Sequence, residues 1–228
     1  MNNSLGKLIV IDGTDGSGKS VQTKLLVDRL KAANLPVAEF DFLQYNKASG
    51  RLVSEYLNGN FGTAEEVGAY RASVFYACDR YEASKAIKQA LAEGKLVITN
   101  RYVSSNLAHQ GGKISDPLER KAYYDWCLDL EYRIFGIPQP DLNIILHVPA
   151  AIAQALVDKK DQREYLDDKK RDIHEDDLNH LLAAERIYLE LANSLANTSL
   201  IECVTNDEML DKETIANLVY SHVQSLIA

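Results

Sequence analysis

Residues 9–20, Ile-Val-Ile-Asp-Gly-Thr-Asp-Gly-Ser-Gly-Lys-Ser, constrain this chain more than any other stretch. The apolar run Leu8-Ile9-Val10-Ile11 reads as a buried strand, and it breaks directly into Gly13-x-x-x-x-Gly18-Lys19-Ser20. A helical pattern follows at once, with Val21, Leu25, Leu26 and Leu30 spaced for one face. Strand, glycine-rich turn and helix in that order are the context that makes a Walker A pattern a phosphate site. Glycines let successive backbone N–H groups converge on phosphate oxygens where a Cβ would obstruct them. The helix adds the positive end of its dipole to the same anion. Lys19 is placed to reach the terminal phosphates, and the Ser20 hydroxyl to ligate the Mg²⁺ that bridges them. A chance glycine turn satisfies few of these conditions together. The pattern implies a nucleoside triphosphate with Mg²⁺.

The 228 residues are enough for one large α/β domain. A net charge of −8 argues against a nucleic-acid polymer or an anionic membrane surface as partner, so basic residues must be concentrated locally to hold phosphate. No apolar run reaches membrane-spanning length, and Met1-Asn2-Asn3-Ser4 leads into the first strand without a secretory pattern. Cys78, Cys127 and Cys203 are scattered, which suits buried thiols in a reducing interior. The expected location is the cytoplasm.

Read in order, the chain gives a first helix over 19–33 and a second strand over 37–42, then a short helical piece around 51–57. A long helical pattern spans 64–92 and is stopped by Gly94. A third strand over 96–99 ends on Asn100-Arg101-Tyr102. Further on come a helix over 118–135, a strand over 142–148 and a helix near Pro149. After the doubly charged stretch 158–177, the chain shows a helix over 178–195, a strand over 200–204 and a closing helix over 211–226. Five apolar strands alternating with helices predict a three-layer α/β/α fold around a parallel sheet, as a single domain. Ligands belong at the carboxyl ends of its strands.

Two further positions carry possible chemistry. Tyr76 and Arg80 lie four apart and share a helix face, so a ring and a guanidinium could stack and edge-bond a flat base. Periodicity alone favours a plain Tyr–Arg contact. Arg101, at the end of the third strand, could grip a phosphate with two parallel hydrogen bonds or form a structural ion pair.

Taken together, these motifs resemble the thymidylate kinase family of P-loop nucleoside monophosphate kinases. The resemblance runs from Asp12-Gly13 and the loop through Tyr76-x-x-Asp79-Arg80 to Asn100-Arg101-Tyr102-Val103-Ser104-Ser105-Asn106-x-Ala108-His109-Gln110-Gly111. It implies transfer of the ATP γ-phosphoryl group to dTMP. It also implies that Gly13, Asp15, Gly16, Ser17, Gly18, Lys19, Ser20 and Val21 hold ATP, with Ser20 on the metal. Asp15 would also face the acceptor. Tyr76, where the family usually has Phe, would stack on thymine, and Arg80 would donate to its carbonyl. Arg101 would bind the acceptor phosphate, and Asn106, His109 and Gln110 would line the nucleoside. Family members carry either an arginine in the loop or basic residues in a mobile lid. Gly16 at that loop position implies the lid version over 158–177, with Arg171 and then Arg163 as candidates for the transferring phosphate. The family also implies a homodimer.

Three departures qualify the match. Asn100 stands where the family usually has Asp, which removes a charge near the metal's water shell. Phe42-Leu43-Gln44-Tyr45 lacks the arginine that commonly follows Phe-Pro, leaving Lys47 or Arg51 to substitute. Asp172-Ile173-His174-Glu175 has Ile where the family's Asp-Arg-x-Glu has Arg. They leave open a kinase for a deoxynucleoside or another monophosphate, and a nucleotide-binding paralogue with weak or no turnover.

Overall fold

The computed structural model describes residues 6–157 and 178–227. Within them β1 (Lys7–Gly13), β2 (Val37–Asp41), β3 (Leu96–Asn100), β4 (Leu142–His147) and β5 (Thr198–Glu202) form one sheet in the order β2-β3-β1-β4-β5. Every pair in it is parallel. The helices are α1 (Lys19–Ala32), α2 (Ala48–Leu57), α3 (Ala64–Ala92), α4 (Val103–Gly111), α5 (Pro117–Leu128), α6 (Ala150–Val157), α7 (Leu178–Ser194) and α8 (Lys212–Ile227).

Side chains alternate across β1, so one strand feeds two cores. Leu8 and Val10 join a cluster with Ile87, Leu107, Tyr123 and Ile187, from α3, α4, α5 and α7. Ile9 and Ile11 join Leu26, Leu30, Val219 and Val223, from α1 and α8, on the opposite face. Burying each Ile or Leu is worth about 1.5–3 kcal/mol, so both apolar faces hold the central strand in register. The chain steps outward from β1 to β2, returns through β3, then crosses to β4 on the far side. The carboxyl end of β1 therefore lies where the strand order reverses, which opens a crevice for ligand.

Two helices differ from the sequence expectation. The pattern over 64–92 is interrupted at Gly68, which takes φ 73°. A Thr63–Glu66 capping box starts the first turn, and Arg71 satisfies carbonyls freed by the break, donating to Val67 O at 2.7 Å and Glu66 O at 2.9 Å. The expected helix over 118–135 ends at Leu128 and widens into a π-helical segment, Asp129–Ile134, that turns Glu131 fully inward. The short antiparallel pair β6 (Val204–Thr205) and β7 (Glu208–Met209) was not expected either. Its two linking residues, Asn206 and Asp207, both have positive φ, as a tight hairpin requires. The three cysteines are free thiols, and burial pushes those of Cys127 and Cys203 up to about 12. Among the described residues no helix is long and apolar enough to cross a membrane.

Candidate functional site

A cleft of about 470 Å³ opens at the carboxyl ends of β1, β2 and β3, floored by the loop Asp15–Ser20 and walled by Asp41, Asn100 and Arg101. The loop geometry follows from its glycines. Gly13, Gly16 and Gly18 have φ of 143°, 86° and 85°, conformations that L side chains rarely adopt. At Gly13 a Cβ would lie 2.8 Å from Ser17 Oγ, and at Gly16 it would lie 2.2 Å from Ala153 O on α6. The second clash matters for function, because it bars an arginine from this loop position. Gly18 caps α1 without any side-chain bond, which leaves the first N–H groups of the helix for a ligand. Thr14 Oγ1 and Ser17 Oγ are buried with no hydrogen-bond partner among the described residues. Unsatisfied donors around a glycine cradle fit a polyphosphate.

Lys19 is held beneath the loop by a 2.8 Å bond from Nζ to Thr14 O and lies 3.9 Å from Asp15. Asp15 also receives Arg101 Nη2 in an ion pair. Arg101 follows β3 in a left-handed conformation, φ 64°, with its own N–H donating to Ile11 O at 2.9 Å. Strain of this kind costs about 1–3 kcal/mol and persists only where the surroundings impose it. Here it turns the guanidinium back over the loop. Nη1 donates at 3.3 Å to both Ser105 Oγ and His109 Nε2 on α4, so one side chain links the phosphate loop to the neighbouring helix.

Asp12 anchors that helix. Its carboxylate accepts from Ser104 Oγ at 2.7 Å, Ser105 Oγ at 2.6 Å and Tyr188 OH at 2.7 Å. Asp12, Ser104 and Ser105 stand in the quoted motifs without a role and Tyr188 in none, because their contacts join β1, α4 and α7 across as many as 176 positions. His109 is also buried, with Nδ1 3.3 Å from His180 Nε2. Arginine only donates, so His109 Nε2 accepts from Arg101 and the proton sits on Nδ1. Burial, and secondarily the Arg101 charge, push the His109 pKa well below its ordinary value.

The direction for stability follows from linkage. The unfolded chain takes a proton near pH 6.5 and the folded imidazole does not. His109 thus contributes stability fully above pH 6.5, and that contribution is lost as pH falls below it. Imidazole ¹⁵N shifts recorded from pH 7.5 to 5.5 should keep His109 in the neutral Nδ1–H form throughout, while the unfolding midpoint declines below pH 6.5. A His109 titration near 6.5 would contradict the assignment.

The other expected residues do not share one environment. Asn106 and Gln110 join His109 on buried α4, and Asn106 Oδ1 and Gln110 Oε1 lack partners among the described residues. Tyr76 is partly buried, its ring edge-on to Tyr56 at 6.2 Å. Arg80 is engaged differently from expectation. It is buried, its fork pairs with Glu131, and Nη1 lies 3.4 Å from Tyr102 O. The Glu131 charge therefore orients the guanidinium, a partner no spacing argument could reveal. Arg51 does not join the cleft. Its side chain is 82% exposed on α2 and pairs with Glu55 at 3.6 Å. Gln44, at the position lacking the arginine, is bound to Asp79, with its N–H 3.1 Å from Oδ2. Arg163, Arg171 and the expected lid lie outside the described residues. Val21 lines the cleft, and Met209, Leu210 and Lys212 complete a wall that the sequence did not flag. The β6–β7 hairpin and the start of α8 bring that wall in, and Gln22 Nε2 ties it down with a 3.1 Å bond to Lys212 O.

Comparison with known proteins places this geometry. A family model described as "Thymidylate kinase" matches residues 11–209. The thymidylate kinase of Mycobacterium tuberculosis (strain CDC 1551) is 31% identical over 187 residues, covering 81% of this chain and 85% of that protein. The one from Plasmodium falciparum is 32% identical over 149 residues, and the match covers 65% of each chain, just under two thirds. The solved structure of thymidylate kinase from Candida albicans superposes with a TM-score of 0.74 over 97% of this chain and 92% of that one, at 21% identity, a likeness of fold. With the family model spanning most of the chain and a relative matched at 31% identity over 81% of it, the chain belongs to the thymidylate kinase family.

Proposed function

We propose that this chain transfers the γ-phosphoryl group of ATP to dTMP, giving ADP and dTDP. The observation that carries the reading is the position of Arg101, bonded at once to Asp15 in the phosphate loop and to Ser105 and His109 on α4. A guanidinium between a triphosphate cradle and a row of buried polar side chains suits an acceptor that presents a phosphate at that boundary. Gly13 to Ser20 and Val21 would hold the triphosphate through backbone N–H groups, with Lys19 on the terminal phosphates. Tyr76, Asn106, His109, Gln110 and Arg80 would form the acceptor side. On this reading Arg80 carries out its role while paired to Glu131. Arg171 and Arg163 would act from a lid over 158–177 of a single kinase domain, and two copies would pair as a homodimer.

Mg²⁺ fits the donor set, with the Ser20 hydroxyl beside the loop and a carboxylate within reach. When bound it would neutralise charge between the β- and γ-phosphates. The protein's own work is alignment of donor and acceptor and exclusion of water.

Gln44, tied to Asp79 where an arginine commonly stands, favours a second reading in which the acceptor is another monophosphate or a deoxynucleoside. ADP release with ATP and Mg²⁺ should be measured against dTMP, dUMP, dCMP, dGMP and thymidine. Release chiefly with dTMP is expected. Preference for thymidine or another monophosphate would move the acceptor, and binding of ATP without release for any acceptor would sink the kinase assignment.

A further inference from the structure

One carboxylate in the cleft has no ion pair within 4 Å among the described residues. Asp15 is paired with Arg101 and Lys19, but Asp41, at the carboxyl end of β2, forms no ion pair among the described residues. Its Oδ1 accepts a 2.8 Å bond from Asn100 Nδ2, and the same nitrogen lies 3.2 Å from Ser20 Oγ. One amide thus gathers a carboxylate and the loop hydroxyl to the same point. Asn100 is 7% exposed, and its Oδ1 is buried without a partner among the described residues. Asp41 is exposed at the rim of a cradle whose glycine loop, helix N-terminus, Lys19 and Arg101 attract a polyphosphate, so two anions would face each other there once a nucleotide binds. Against a triphosphate it would be repulsive. A divalent cation between them removes the conflict, and a carboxylate and a hydroxyl are oxygen donors of the kind a hard cation takes.

We propose that Asp41, steered by Asn100, is the carboxylate that holds the divalent cation of the bound nucleotide, binding the ion's coordinated water beside Ser20. The charge needed at this point comes from the edge strand β2, and the neutral Asn100 on β3 acts as a positioning residue between the two oxygens. The inference rests on the nucleotide reading of the cleft given above. It also accounts for a neutral residue at position 100: a second carboxylate 2.8 Å from Asp41 would repel it.

The test is metal binding, apart from turnover. Mn²⁺ affinity is measured by electron paramagnetic resonance on the full chain saturated with ADP, and ADP affinity is measured separately in EDTA. Asp41→Asn should weaken Mn²⁺ binding about 10–100-fold, in line with the loss of a group that orients a metal's ligands. Its metal-free ADP affinity should hold or rise, since a repulsive charge has gone. The double exchange Asp41→Asn with Asn100→Asp returns the carboxylate to the other side of the same hydrogen bond and should recover most of the Mn²⁺ affinity. Unchanged Mn²⁺ binding in Asp41→Asn would overturn the proposal, as would an equal loss of metal-free ADP binding, which would mark a structural role. Failure of the unaltered chain to bind Mn²⁺ with ADP would sink this proposal and the nucleotide reading together.

Discussion

Arg101→Ala is expected to lower kcat/KM for dTMP by about 10²–10³-fold, the usual cost of removing one preorganised charged donor from a transferring group. The guanidinium sits where two bound phosphates would meet, held by Asp15 on one side and by Ser105 and His109 on the other. Alanine removes the donor and leaves the Asp15 carboxylate facing the acceptor with Lys19 3.9 Å away. Electrostatic repulsion is then added to the lost attraction. Affinity for ATP should fall much less, because the loop amides and Lys19 remain. Steady-state kinetics with dTMP varied at saturating ATP will show the effect. The same substitution discriminates between acceptors, since thymidine has no phosphate for Arg101 to hold. An unchanged KM and kcat for dTMP would rule out the monophosphate reading of the site.

The largest effect on stability is expected at Glu131. Its carboxylate is fully buried and faces the Arg80 fork, whose side chain is 3% exposed. Both charges have left water, so the pair is balanced only while both members are present. Burial pulls the Arg80 pKa down, but the Glu131 charge and hydrogen bonds outweigh it, and the net direction is upward. Glu131→Ala would leave a buried guanidinium with Tyr102 O at 3.4 Å as its remaining polar contact in the fold. A loss of about 3–5 kcal/mol is expected, read as a lower urea midpoint at unchanged slope. Replacing both partners, Arg80→Met with Glu131→Leu, should restore much of that stability, because the desolvation cost disappears with the charges. If the single variant unfolds at the original midpoint, the pair carries no net energy and Arg80 is held by packing alone.

Those two sites differ in how far they could be read from the chain. Arg101 was identifiable because it ends an apolar strand in an α/β pattern. Its partners were less accessible: Asp15 lies 86 positions away, and their meeting depends on β1 and β3 being neighbours in the sheet. Arg80 was recognised as a candidate, but Glu131 was hidden inside what reads as continuous helix. Only the π-helical widening turns that residue inward. Arg51 illustrates the opposite failure. It was proposed to fill a chemical gap at Gln44, and the spacing of α2 instead carries it to solvent beside Glu55.

The local code alone determined the phosphate loop and the alternation of strand and helix. Each depends on contacts within a few residues, where glycine conformations, apolar period and hydrogen-bond pattern leave few options. Tertiary structure decided which charges meet. Asp12 collects hydroxyls from α4 and α7, Glu131 claims Arg80, and Asp41 reaches Ser20 through Asn100 across three elements. Electrostatic partnership depends on distance in space and on exclusion of water. Those two quantities exist only after the sheet has set the strand order and the helices have closed over both of its faces.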